Sequence, residues 1–315
     1  MKNLLEYSLP LQSSIEHSDC FQATLNTITY NIGDHYDLMP FLCFCNFSFD
    51  QNDLSLCFER TGQIPGVPDD LLGLTGIRAE RKDYQSKTEL FDLCLLNAQK
   101  QIPTVINIDA FDIPYHMAYK KEHLGHYFIV LSLEPNGHCI YIDPYFNMSR
   151  VEVQSHDMSL FYDHYLIYTA EYRYNRNAMK IIIQQLDDYT KKDFAQKMEG
   201  VGALLLTNGM FENIINKQNP VLSPFMLKIK RFVTERKNLL YCLYQHFPEK
   251  NDLLNKFELC IKDWNDFYLI LLKSISRDFR KNIIEKAVEL LACAMRWEEK
   301  VITKLKHAVA EKILL

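Results

Sequence analysis

Apolar residues run or alternate over 104–108, 127–133 and 139–142, in stretches rich in β-branched and aromatic side chains and bounded by turn formers, so three consecutive strands are expected there. The middle run is apolar at successive positions, the pattern of a strand covered on both faces. Glu134-Pro135-Asn136-Gly137 has the composition of a hairpin loop. Beyond about residue 175 the period changes. Apolar positions recur at helical spacing over 194–215, 225–247, 253–275 and 283–305, with proline confined to 220, 224 and 248. Four or five long amphipathic helices are expected, joined through 216–224 and 247–252 and packed as a bundle. Nearer the N-terminus, Asp19 and Gln22 form a capping-box-like start, Phe21, Leu25 and Ile28 mark one face, and Gly33 closes the helix. The stretch 88–101 reads as another helix, with apolar residues at 90, 91, 94, 95 and 98. A helical turn over 37–42, strand-like runs over 41–49 and 54–60, a short helix from Pro68, a helix over 158–165 and a last strand over 165–172 complete the reading. The fold class expected is α+β: a domain over 1–172 built on a central antiparallel sheet, then an all-helical domain over 173–315.

The hairpin brings candidate chemistry into view. With 134–137 as the loop, Leu133 faces His138, and counting back places Asp143 opposite Phe128 on the same face as His126. A diagonal of about 7–8 Å between Cβ atoms lies within reach of an imidazole to carboxylate hydrogen bond. A structural histidine at a strand start has the same spacing, and a two-residue Asn-Gly loop would part the pair. Cys20 falls in the first turn of the N-terminal helix, where unpaired N–H groups and the positive end of the dipole favour thiolate. Cysteine, histidine and aspartate in that chain order suit nucleophilic acyl chemistry. A buried cysteine at a helix start is the plainer alternative. The nine cysteines form no CxxC pair, and the others read as small buried hydrophobes in a reducing compartment.

Composition narrows the classes. The chain has 315 residues, is 24% charged and 48% hydrophobic, and carries a formal net charge of -5, so it has no basic surplus for a nucleic-acid partner. No apolar run approaches the roughly 20 residues that a membrane span needs, and residues 1–14 lack a signal-peptide core, so a cytoplasmic protein is expected. His116, His123 and His126 with Asp109 raise the question of a metal, but their spacing fits no recognised zinc pattern and none is expected. Charged faces of the later helices, Arg231 and Lys237 among them, read as solvated.

The pieces HSDCFQATLNTI, IPTVINIDAFDIPY, GHYFIVLSLE and IYIDPYF together resemble the N-terminal domain of the butirosin biosynthesis protein H type, acyltransferases with a papain-like cysteine-peptidase fold. The likeness spans about residues 10–165, and its strongest part runs from Asp109 through Pro114-Tyr115 to His126. It departs at Cys43-Phe44-Cys45, where the family is expected to be glycine-rich. Members commonly carry a second, less similar C-terminal domain. The resemblance implies that Cys20 is the nucleophile, His126 the general base and acid, and Asp143 the group that orients the imidazole. It implies acyl transfer from a phosphopantetheine thioester on an acyl or peptidyl carrier protein to a small-molecule amine, in natural-product biosynthesis, with no bound cofactor. Gln12 lies near where papain-like enzymes place an oxyanion-hole glutamine, beside the backbone N–H of Cys20. Asp109, Asp112 and Tyr115 leave the strand next to the site and are expected to meet the acceptor amine. A peptidase or thioesterase with the same triad, and a non-catalytic binding subunit, remain open alternatives.

Overall fold

Three stretches that the pattern marks as strands, a fourth that it reads as part helix and part strand, and two charged ones that it passes over join in one antiparallel sheet. The computed structural model describes residues 3–9, 19–32, 47–60, 72, 76–170, 178–190 and 194–313. The expected features at 37–42, at Pro68 and at Gly33 lie outside these residues, as do Gln12, Cys43 and Cys45. Among the described residues the strands are β1 (Phe47–Ser48), β2 (Glu59–Arg60), β3 (Ile77–Asp83), β4 (Thr104–Asp109), β5 (Gly125–Leu133), β6 (His138–Asp143), β7 (Met148–Gln154) and β8 (Leu160–Ala170). The last six form a sheet in the order β3-β8-β4-β5-β6-β7, every pairing antiparallel. Mixed α/β structure of this kind, with a mostly helical C-terminal region, is the class of the chain.

β4 and β5 lie at the centre, and Val105, Ile106, Ile108, Phe128, Ile129 and Val130 are buried there. The outer strands IRAERKD and MSRVEVQ carry too little apolar character to be read as strands; an edge strand has one neighbour and can leave its charged side chains in water. The helix expected over 158–165 is instead the first half of β8. Its Tyr165, Leu166 and Tyr168 are buried, and neighbours on both sides, β3 and β4, take up its backbone hydrogen bonds. Aromatic and β-branched content, with two strands waiting to pair, outweighs a weak helical period.

The hairpin differs from the expected one, and a second irregularity cancels the difference. Glu134 N–H donates to the His138 carbonyl at 2.9 Å and Gly137 N–H to the Glu134 carbonyl at 2.9 Å, so the loop is Pro135-Asn136-Gly137. Gly137 sits at φ +85°, the left-handed position of such a loop, where a side chain is strained. Leu133 therefore pairs with Cys139 rather than His138. A bulge between Val130 and Ser132 then takes up one residue, and Val130 pairs with Tyr141 and Ile129 with Ile142. Continued one step, that register sets Asp143 opposite Phe128, on the face of His126. Without the bulge every later β6 side chain would point to the other face.

Among the described residues two helices accompany the sheet: α1 (Cys20–Ile32) and α2 (Lys87–Gln99). Ser86 caps α2 by accepting from Glu89 N–H at 3.1 Å, and the Glu89 carboxylate accepts from Gln85 N–H at 2.6 Å.

The pattern predicts one division after residue 172. The chain forms two compact units, Met1–Pro40 with Gly62–Asn175, and Phe41–Thr61 with Arg176–Leu315. The second therefore takes in β1 and β2, for which ring contacts supply the reason: Phe47, Phe49 and Phe58 pack edge-on against Phe232 at 5.0–6.1 Å between centroids. The helices of this unit are α3 (Ala178–Thr190), α4 (Phe194–Leu206), α5 (Met210–Asn213), α6 (Pro224–His246), α7 (Asn251–Ile275) and α8 (Lys281–Ile313). The single helix expected over 194–215 is broken at Gly209, whose φ of 74° no right-handed helix admits. Arg236 of α6 and Glu298 of α8 are fully buried, joined through Nε to Oε2 at 3.0 Å and Nη2 to Oε1 at 2.9 Å. Among the described residues no helix is long and apolar enough to cross a membrane.

Candidate active site

Asp19 opens α1, accepting from Gln22 N–H through its carboxylate at 2.9 Å and from Ala23 N–H through its carbonyl at 2.8 Å. Cys20 is thus the first residue of the helix, with its own N–H among those that have no partner inside it. Phe21 packs on Tyr127 of β5 at 5.2 Å, and the Thr24 hydroxyl reaches the Tyr127 carbonyl at 3.4 Å. These contacts set the start of α1 beside the residue that follows His126.

His126 pairs across the sheet with Ile108, and its Nε2 lies 2.8 Å from Oδ2 of Asp143. Cys20 is near enough to the ring that its hydrogen bonding and charge help to raise the His126 pKa. His126 and Asp143 are fully buried, whereas Cys20 is half-buried, the partly exposed member of the three. Asp143 also accepts from the Tyr115 hydroxyl on Oδ2 at 2.9 Å and from Phe146 N–H on Oδ1 at 3.4 Å. Tyr141 lies 3.1 Å from Tyr115, hydroxyl to hydroxyl.

Burial is the largest influence on the His126 proton and by itself lowers its affinity; hydrogen bonds from Asp143 and Cys20, and their charges, together outweigh it and raise the pKa to about 10. A cationic imidazole against sulfur is the charge partner that a thiolate needs. His116 behaves oppositely. Burial, then the neighbouring His126, pushes it down to about 4, so it stays neutral, and its Nδ1 accepts from Ala118 N–H at 3.0 Å.

Ring contacts wall the pair. His116 stands edge-on to His126 at 5.1 Å and Tyr145 at 6.0 Å, and Phe146 lies tilted to it at 5.6 Å. Tyr145 and Phe146 are not singled out by spacing; the run Asp143-Pro144-Tyr145-Phe146 points to them only once Asp143 is known to face His126.

The residues expected to meet an acceptor are engaged elsewhere. Asp109 accepts from Phe111 N–H at 3.0 Å and holds His123 Nδ1 at 2.6 Å, with the His123 ring stacked on Phe111 at 4.4 Å. Asp112 binds Lys120 Nζ at 2.7 Å and accepts from the Ser159 hydroxyl. The Tyr115 hydroxyl is spent on Asp143 and Tyr141. A tight loop satisfies its own polar groups first, which composition alone does not reveal. His116, His123 and His126 go to different partners, and among the described residues no group of three or more His, Cys, Asp or Glu could hold a metal ion.

Comparison with known proteins finds no family model that matches the chain and no curated protein that does.

The raised value makes a pH prediction with a definite sign. Because the folded pKa of His126 exceeds its ordinary 6.5, its proton stabilises the fold fully below pH 6.5, and this contribution is lost as pH rises through about 10. The ring carbon-bound protons of His126, followed by NMR, should titrate near that upper value, and Asp143→Asn should bring the midpoint down. A wild-type midpoint at the ordinary imidazole value would refute the pairing.

Proposed function

We propose that the sheet-bearing unit is a papain-like catalytic domain, and that the protein is a cysteine-dependent acyl or peptidyl transferase. The observation that carries the catalytic part is the His126 ring held 2.8 Å from Asp143, with Cys20, the first residue of α1, close enough to help raise its pKa. The donor proposed is an acyl group on the phosphopantetheine thiol of a carrier protein, and the acceptor is a small-molecule amine. Both rest on the resemblance to the butirosin biosynthesis protein H type.

Sulfur attacks the thioester carbonyl, the carbon–sulfur bond of the donor breaks, and the His126 proton goes to the departing thiolate. Neutral His126 then takes a proton from the amine as nitrogen attacks the acyl-Cys20 carbonyl. Collapse releases the amide and restores thiolate beside imidazolium. The Cys20 N–H at the start of α1 is the donor proposed for the tetrahedral oxyanion. Amine must outcompete water at about 55 M, which requires a bound, oriented acceptor with a high effective molarity.

Mixing the protein with a purified acyl-carrier thioester should add the acyl mass to the intact chain, mapped to Cys20, and a suitable amine should discharge it as an amide. Free acid as the sole product across a broad amine panel would mark a thioesterase or peptidase instead. An unchanged mass, with no product, would remove the nucleophile from the proposal.

A further inference from the structure

Asp143 is poorly held for a group that has to aim a catalytic ring. It is fully buried, yet among the described residues Oδ1 meets only Phe146 N–H, at a long 3.4 Å, while Oδ2 carries both the His126 bond at 2.8 Å and the Tyr115 bond at 2.9 Å. The Tyr115 hydroxyl donates to Asp143, and the Tyr115 oxygen is then left to accept from Tyr141 at 3.1 Å. The hydroxyls form a directed chain, Tyr141 to Tyr115 to Asp143, in a part-buried setting where successive hydrogen bonds strengthen one another.

We propose that Tyr115 is a positioning residue: with Tyr141 behind it, its hydroxyl holds the Asp143 carboxylate in the rotamer that faces His126. The inference rests on the reading of Cys20 as nucleophile. Three elements thereby meet on one oxygen: the 110–124 connection through Tyr115, β5 through His126, and β6 through Asp143 and Tyr141. Tyr115 also packs edge-on against Phe146 at 5.1 Å, a contact that phenylalanine would keep.

A residue that works through Asp143 has no effect once Asp143 is gone, whereas a merely structural one does its damage in either background. Tyr115→Phe should lower kcat about tenfold, the scale of one hydrogen bond to a charged group, and leave the KM for an acyl-carrier thioester within about twofold. In an Asp143→Ala background the same change should cost less than about twofold. Tyr141→Phe, which touches Asp143 only through Tyr115, should show a smaller loss of the same kind, and it serves if Tyr115→Phe does not fold. Iodoacetamide labelling of Cys20 in the same variants gives a readout free of any donor or acceptor. Equal fold-losses in both backgrounds, or none in either, would overturn the positioning role while leaving wild-type acylation of Cys20 intact. A wild-type protein whose Cys20 neither takes up acyl groups nor labels faster than buried Cys139 would overturn both readings together.

Discussion

Cys20→Ala should abolish acyl transfer and His126→Ala should lower it by at least about a hundredfold, the low end of what a general base contributes. Alanine at 20 removes the only atom that can carry the acyl group, so no covalent path remains. Alanine at 126 removes the proton carrier for both half-reactions. Because the two act as a unit, the double variant should be no worse than Cys20→Ala alone. Asp143→Ala should cost less than either, since His126 keeps its place among Tyr145, Phe146 and His116. His116→Ala and His123→Ala are the informative controls: the first is a neutral wall, and the second is bound to Asp109 on an exposed loop. Steady-state rates with circular-dichroism spectra of each variant decide the matter. Loss of activity in His123→Ala with retention in His126→Ala would reassign the base.

Glu298→Ala should destabilise the helical unit by about 3–5 kcal/mol, a large part of the 5–15 kcal/mol that holds a typical domain together. Arg236 and Glu298 are 0% exposed, so neither charge is relieved by water when the other is removed. The Glu298 carboxylate also accepts from Trp264 Nε1–H, and the guanidinium carbon of Arg236 lies 3.3 Å from the centroid of the Phe232 ring, whose face attracts a cation. Truncating Glu298 thus strands a guanidinium in an aromatic cage and leaves an indole N–H without its acceptor. Glu298→Gln should cost less, because it keeps the shape and one acceptor oxygen. Replacing the pair together, Arg236→Met with Glu298→Leu, should recover much of the loss, since apolar groups of like volume carry no desolvation penalty. Urea denaturation followed by helical circular dichroism measures each. The exposed pair of Lys256 and Asp252, 2.6 Å apart one helical turn from each other, sets the scale for a surface bridge, and Lys256→Ala should move the midpoint little. A shift for Glu298→Ala no larger than that would show the buried pair to be incidental.

Much of the candidate site is visible in short windows of sequence. Asp19, three residues before Gln22, marks the helix start that puts Cys20 first, because a cap is a bond between near neighbours. The strands holding His126 and Asp143 announce themselves through β-branched and aromatic runs. The partnership of those two residues is a different kind of inference. It comes out as expected only because the bulge near Leu131 offsets a loop one residue shorter than composition suggests. The partners of Asp109, Asp112 and Tyr115 are of the same kind: His123, Lys120 with Ser159, and Asp143 are groups that no spacing rule identifies.

The buried charges of the helical unit make the same point. Arg231 and Lys237 read as part of a solvated face, yet Glu235 and Arg236 between them are fully buried. Chain periodicity, helix caps and turn glycines are local, decided by sterics and hydrogen bonds within a few residues, and the sequence by itself determined them: the start of α1, the central strands β4, β5 and β6, and the long helices α6, α7 and α8. Tertiary structure alone decided the edge strands β3 and β7, the placing of β8 between β3 and β4, the bulge that aims Asp143, and the partners of Tyr115 and Arg236. Each of these depends on which distant group arrives to satisfy a backbone ladder or a buried polar atom, and that is set by the packing of the whole unit.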